Sequence, residues 1–154
     1  MKEVEIYTDG ACSGNPGKGG FGVILKYKET ERELSRGYSY TTNNRMELLA
    51  VIEGLRMLKY PCKVRLYSDS KYVVDAIEKG WLKSWQSCGW KKADGKTALN
   101  VDLWSVLSQQ LKIHEVEFIW VKGHSNNAYN ERCDRLAVAA YEKENLIEDP
   151  GAKG

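Results

Sequence analysis

The sequence predicts an α/β chain built on one mixed sheet, and three of its features point that way. It opens with three β-rich runs in succession, VEIYTD, FGVILKYK and RELSRGYSY, joined by short turn-forming segments. Strands linked this closely pair antiparallel. Two further β-rich runs, KVRLYS and EVEFIWV, each follow helical stretches, and helical crossovers return a strand parallel to an earlier one. Helices joined in this way cover the faces of the sheet. The expected order is βββαβααβα: a five-stranded mixed sheet, three antiparallel strands then two parallel, flanked by helices.

Each element has its own signal. Val4, Ile6 and Thr8 alternate with Glu3, Glu5 and Tyr7, the period of a strand that ends near Asp9, and the glycine-rich GACSGNPGKGG that follows reads as a turn. Asn44 is expected to cap a helix through about Leu58, because Met46, Leu49 and Ile52 begin an apolar-rich face and Pro61 stops the pattern. KVRLYS is the fourth strand and SKYVVDAIEK a helix that Gly80 breaks, with a small extra turn near Trp81 and an irregular stretch over 82–99. Asn100 caps VDLWSVLSQQLKI, EVEFIWV is the fifth strand, and a final helix runs from Asn130 to about Lys143. One domain over residues 1–143 follows, with 144–154, ENLIEDPGAKG, as a weakly ordered tail.

A chain of 154 residues fits one domain and buries a real core. Charged residues make up 29% and the net charge is only +2, so no global field announces a polyanion partner, and any nucleic-acid site must be local. Cys12, Cys62, Cys88 and Cys133 form no CxxC pair, and with two histidines a closed zinc site is hard to assemble; reduced thiols are expected. MKEVEIY enters a strand pattern at once, with no apolar signal core and no run long enough to cross a bilayer, so a cytoplasmic protein is expected.

Four carboxylates stand where secondary structure can make them converge. Asp9 and Asp69 close β-rich runs, Glu47 opens a helix, and Asp134 follows NERC near the start of the last helix. Open α/β sheets place their crevice beyond the carboxyl ends of the strands. Each acid alone has an ordinary reading: Glu47 completes a capping box with Asn44, Asp69 caps the next helix, and Asp134 pairs with an arginine on a solvated face. Together they make a different object, because packed acids raise one another's pKa unless a cation neutralises them, and hard cations want oxygen ligands. Gly17, Gly19 and Gly22 spell G-x-G-x-x-G, yet the strand-like FGVILKYK follows where a dinucleotide site needs a helix N-terminus. A kinase-type loop lacks its HRD and DFG partners. A turn or bulge requiring positive φ accounts for most of these glycines.

TDGACSGNPG, TTNNRMELLA, YSDSKYV and WVKGHSNNAYNERCDRLA, in that order, resemble bacterial type 1 ribonuclease H of the ribonuclease H-like superfamily, from Val4 to about Ala140. The resemblance implies an endonuclease that hydrolyses the RNA strand of RNA–DNA hybrids with two Mg2+ ions, Mn2+ being an alternative, and leaves 5′-phosphate and 3′-hydroxyl ends. It implies Asp9 as the bridge between the ions, Asp134 on the water side, and Glu47 and Asp69 on the leaving-group side. His124, in KGHSNN, would assist proton transfer or product release, whereas His114 matches no motif and is read as structural. Cys12, Asn15, Asn43, Asn44 and Lys71 would face the minor groove, where RNA displays its 2′-hydroxyls; Glu47 would also touch one. Thr42 would belong to the pocket for a DNA phosphate. Trp81 would line the groove of a basic protrusion carrying Lys79, Lys83, Lys91, Lys92 and Lys96, while Trp85, Trp104 and Trp120 are assigned to packing.

Some positions depart from the family pattern. Gln86, Ser87 and Cys88 occupy a stretch often rich in lysine and arginine, Lys71 replaces a common glutamine, and Tyr40 a common arginine. Nothing in the pattern demands a partner beyond the hybrid, so a monomer is expected. Two other readings stay open: a related-fold integrase or resolvase that cuts DNA, which would need a separate DNA-binding domain, and a groove-retaining module that binds hybrids without chemistry.

Overall fold

The structure is a computed structural model that describes residues 1–122 and 127–152. Among these residues β1 (Lys2–Cys12), β2 (Gly17–Tyr27) and β3 (Thr30–Thr41) form an antiparallel meander, and α1 (Asn43–Arg56) crosses to β4 (Cys62–Ser68). Helices α2 (Lys71–Glu78), α3 (Trp81–Ser87) and α4 (Val101–Ile113) lead to β5 (Glu115–Trp120), and α5 (Ala128–Glu142) follows. The sheet order is β3-β2-β1-β4-β5, with β4 parallel to both β1 and β5. The expected mixed sheet is therefore present.

Helix α1 lies on one face of β1 and β2, with α4 against it, and α5 covers the opposite face from β1 to β3. The buried face of α1, Met46, Leu48, Val51, Ile52 and Leu55, meets Ile6, Phe21, Val23 and Leu66 of the sheet and Trp104 and Leu107 of α4. Burying each of these large side chains contributes about 1.5–3 kcal/mol, so the core fixes the crossover helix that carries Glu47. His114 is structural as expected: it is buried, its Nδ1 accepts from Cys62 N at 3.1 Å, and burial pushes its pKa down.

Several local expectations change. The glycines of β2 do not need positive φ; they need closeness. A Cβ on Gly22 would overlap the Cys133 carbonyl of α5, so the bare strand lets the helix settle onto the sheet. Residues 82–99 are not wholly irregular, because Leu82 is buried and Trp85 meets Trp104 edge to face with ring centroids 5.8 Å apart, giving α3 an apolar face. Thr42, not Asn44, caps α1 by accepting from Arg45 N at 3.3 Å, which leaves Asn44 within the first turn. Ser70 caps α2 in place of Asp69, and α5 starts at Ala128 behind an Asn127 cap. Asn100 does precede α4, but in the left-handed region with no capping bond; its side chain donates to Tyr72 Oη and accepts from Arg45.

The tail is the largest difference. Through residue 152 it is docked rather than weakly ordered: Ile147 bridges to Tyr38 and exchanges main-chain hydrogen bonds with Gly37 and Ser39. Asp149, itself buried, accepts from Thr41 Oγ1 at 2.7 Å and from Arg45 Nε and Nη2 at 2.8 and 3.0 Å. Arg45 also forks onto Asp102 of α4 at 2.9 and 2.6 Å. Only 3% of the Arg45 side chain is exposed, and a buried guanidinium demands such partners.

Candidate active site

Strand register builds the centre of the site. Tyr7 of β1 stands opposite Tyr67 of β4 in a parallel pair, so the residues two further on, Asp9 and Asp69, emerge side by side at the carboxyl ends. The tyrosines form a floor beneath them: Tyr7 stacks on Tyr67 at 4.6 Å and on Tyr129 of α5 at 4.5 Å. Both sheet tyrosines donate their hydroxyls to Glu5, at 3.1 and 3.3 Å. That floor escaped the sequence reading, although the repeat of Tyr two residues before each aspartate, YTD and YSD, signals it.

Glu47 arrives from the other direction. A Cβ on Gly10 would overlap the main chain of Met46 and Glu47, so glycine alone lets α1 approach β1 this closely. Gly10 N then donates to Glu47 Oε1, and to Asp9 Oδ1 at 2.9 Å. Oxygen atoms of Asp9, Glu47 and Asp69 lie within 4.8 Å of one another. Asp9 and Glu47 are 6% and 8% exposed, and Glu47 Oε2 is buried without a partner.

Burial, then the Asp69 charge, pushes the Asp9 pKa up to about 8, and Asp134 adds to the rise. Glu47 is raised well above the usual carboxylate range, again by burial first and then by Asp9 and Asp69. Both carboxyls thus hold their protons more tightly than in water. Two buried carboxyls, a half-buried third and one orphaned oxygen fit a divalent cation, which takes hard oxygen ligands and relieves crowded negative charge. Asp134 is different. It is exposed on α5, held over β1 because the neighbouring Cys133 thiol donates to Tyr7 O at 3.3 Å, and it acts on Asp9 through its charge.

The expected substrate contacts divide into two groups. Cys12, Asn15, Thr42, Asn43 and Asn44 gather where β1, β3 and α1 meet: the Cys12 thiol lies 3.5 Å from Thr41 O, and Asn15 Oδ1 accepts from Asn43 N at 3.2 Å. Asn15, Asn43 and Asn44 are exposed there. Lys71 opens α2 and Trp81 opens α3, with Trp81 exposed beneath the Lys79 ammonium. His124 lies outside the described residues. Trp85 and Trp104 pack as expected, but Trp120 does not: 42% of it is exposed, and its indole faces Asp69 and Lys71.

Comparison with known proteins agrees with this architecture. The RNase H family model matches residues 1–142. The chain is 58% identical over 146 residues to a protein named Ribonuclease H from Desulforamulus reducens, covering 95% of this chain and 92% of that one. It is 59% identical over 141 residues to one of the same name from Chlorobium phaeobacteroides, covering 91% and 96%. Among solved structures, LC9-RNase H1, described as a type 1 RNase H with the type 2 active-site motif, superposes with a TM-score of 0.83 at 32% identity, over 98% of this chain and 79% of that one. A matched family model over nearly the whole length, relatives of 55% identity or more and a shared fold agree: the chain belongs to the RNase H family.

Proposed function

We propose that this chain is a ribonuclease H that cuts the RNA strand of RNA–DNA hybrids in a reaction dependent on two divalent cations, leaving 5′-phosphate and 3′-hydroxyl ends. The observation that carries the reading is the carboxylate trio of buried Asp9 and Glu47 and half-buried Asp69, where two adjoining strand ends meet α1, with Asp134 beside it. When bound, paired divalent cations supply a nucleophile from water near neutral pH and offset charge on the departing 3′ oxygen; Mg2+ is the proposed ion, with Mn2+ as a substitute. Asp9, central to the charge coupling, would be shared between the ions; Glu47 and Asp69 would hold the one on the leaving-group side, and exposed Asp134 the one on the water side. Asn43 and Asn44, exposed beside Glu47, meet the wide minor groove where 2′-hydroxyls distinguish RNA from DNA. Cys12 and Asn15 extend that contact, Lys71 brings a charge to the substrate where relatives place a groove hydrogen bonder, Thr42 belongs to the DNA-strand side, and Trp81 lines the groove near the lysines. His124 is assigned the supporting step of proton transfer or product release. Relatives carrying the name Ribonuclease H over nearly their whole length favour the catalytic reading over a binding module without chemistry.

Asp9→Asn and Asp69→Asn test the assignment. Each is expected to lose at least about 100-fold in cleavage, a magnitude typical for a group that stabilises charge in the transition state, while retaining hybrid binding in a gel-shift assay. His124→Ala is expected to slow turnover less than either. Normal cleavage by both asparagine variants would remove the proposed site.

A further inference from the structure

Trp120 ends β5 with 42% of its surface exposed, so burial does not account for a side chain of this size. Its indole N–H donates to the main-chain oxygen of Asp69 at 3.3 Å, and the Lys71 ammonium stands 4.4 Å from its ring centroid. The turn between these partners is held at several points. Val121 N donates to Ser68 O at 2.9 Å, Ser70 N donates to Ser68 Oγ at 3.0 Å, and Ser70 Oγ accepts from Val73 N at 3.3 Å. One aromatic plane therefore touches both a residue of the carboxylate trio and a cation two positions along.

An ammonium over an indole is attracted to the ring, yet its donors pointing away from the ring remain available. A lysine on open surface samples many rotamers; one laid on a fixed ring loses that freedom before a ligand arrives. The location supplies the need. Asp9, Glu47 and Asp69 concentrate negative charge where a polyanionic strand must approach, and a fixed cation at the rim opposes that repulsion.

We propose that Trp120 is a positioning residue that presents Lys71 to a backbone phosphate of the strand being cut, beside the carboxylate site. The inference rests on the reading of the chain as a hybrid nuclease. Neutralising one phosphate contributes about 0.9 to the slope of log affinity against log salt. The effect of losing Trp120 must therefore pass through Lys71.

Steady-state cleavage of a labelled RNA–DNA hybrid across a fourfold range of salt tests this on the intact chain, with Lys71→Gln, Trp120→Leu, Trp120→Phe and the double variant K71Q/W120L. Lys71→Gln is expected to flatten the slope of log KM against log salt by about 0.9, or about 3.5-fold over that range. Trp120→Leu, although it keeps Lys71, is expected to flatten it nearly as much, and the double variant no further. Trp120→Phe keeps a ring beneath the ammonium and is expected to restore most of the slope. Circular dichroism and melting temperature establish that each variant is folded. If Trp120→Leu changes kcat or stability but leaves the salt slope at the wild-type value, the indole is structural and the inference is wrong. Full additivity with Lys71→Gln in the double variant would overturn it equally. Failure of the wild-type chain to cut hybrid at any salt would instead reject the parent reading.

Discussion

Asp9 stores the tension of the site. With its pKa held up to about 8 by burial and by Asp69, against an ordinary value of 3.8, the folded chain binds more protons than the unfolded chain between those pH values. In the absence of cation, stability is accordingly expected to fall as pH rises through this window. Asp9→Asn removes the repelling charge and keeps the shape, so in chelator the variant is expected to melt above the wild type at pH 7.5, and by a smaller margin at pH 5. Scanning calorimetry at the two pH values checks this; a lower melting temperature for the variant at both would contradict it. Cations reverse the order. Cations compete with the protons that the raised Asp9 and Glu47 carboxyls retain, so the Mg2+ concentration giving half-maximal thermal stabilisation of the wild type is expected to fall between pH 6 and 8.

At the scale of elements, the docked tail holds the start of α1. Asp149 joins Thr41, at the end of β3, to Arg45, in the first turn of α1, and Thr42, Asn43 and Asn44 lie between them. Asp149→Ala leaves a guanidinium that is 3% exposed with one carboxylate instead of two, a loss of about 3 kcal/mol by analogy with other broken buried pairs. Urea denaturation is expected to show that loss, and an unchanged midpoint would mean that the tail is not a clasp. Helix α3 carries the opposite expectation. Gln86, Ser87 and Cys88 add no charge to Lys79 and Lys83, so the salt dependence of hybrid binding is expected to be shallower than in relatives with a basic counterpart; equal slopes measured side by side would refute this. These element-scale features were unevenly legible. The five strands were readable because alternation is local, whereas the clasp depends on partners such as Arg45 and Asp149, 104 positions apart. Thr42 took the cap expected of Asn44 because both types suit a cap and only backbone geometry chooses between them.

For the whole molecule, topology turns scattered acids into one site. Parallel pairing of β1 with β4 sets Asp9 beside Asp69, the bare Gly10 admits Glu47, and α5 carries Asp134 to the rim. Convergence at the strand ends was legible from sequence, because both aspartates close β-rich runs and open sheets bind at that edge. Trp120 was not, since a terminal strand tryptophan reads as core until its ring is seen beside Asp69. The division of labour among the four acids came from the family resemblance rather than from their spacing. The central claim, a cation-dependent nuclease specific for the RNA strand of hybrids, is tested most directly by offering the chain labelled RNA–DNA hybrid, RNA duplex, DNA duplex and single-stranded RNA, each with Mg2+ or with chelator. Cutting of the hybrid's RNA strand alone is expected, with Mg2+ and not with chelator. Cleavage of the DNA duplex, or hybrid cleavage that persists undiminished in chelator, would contradict it.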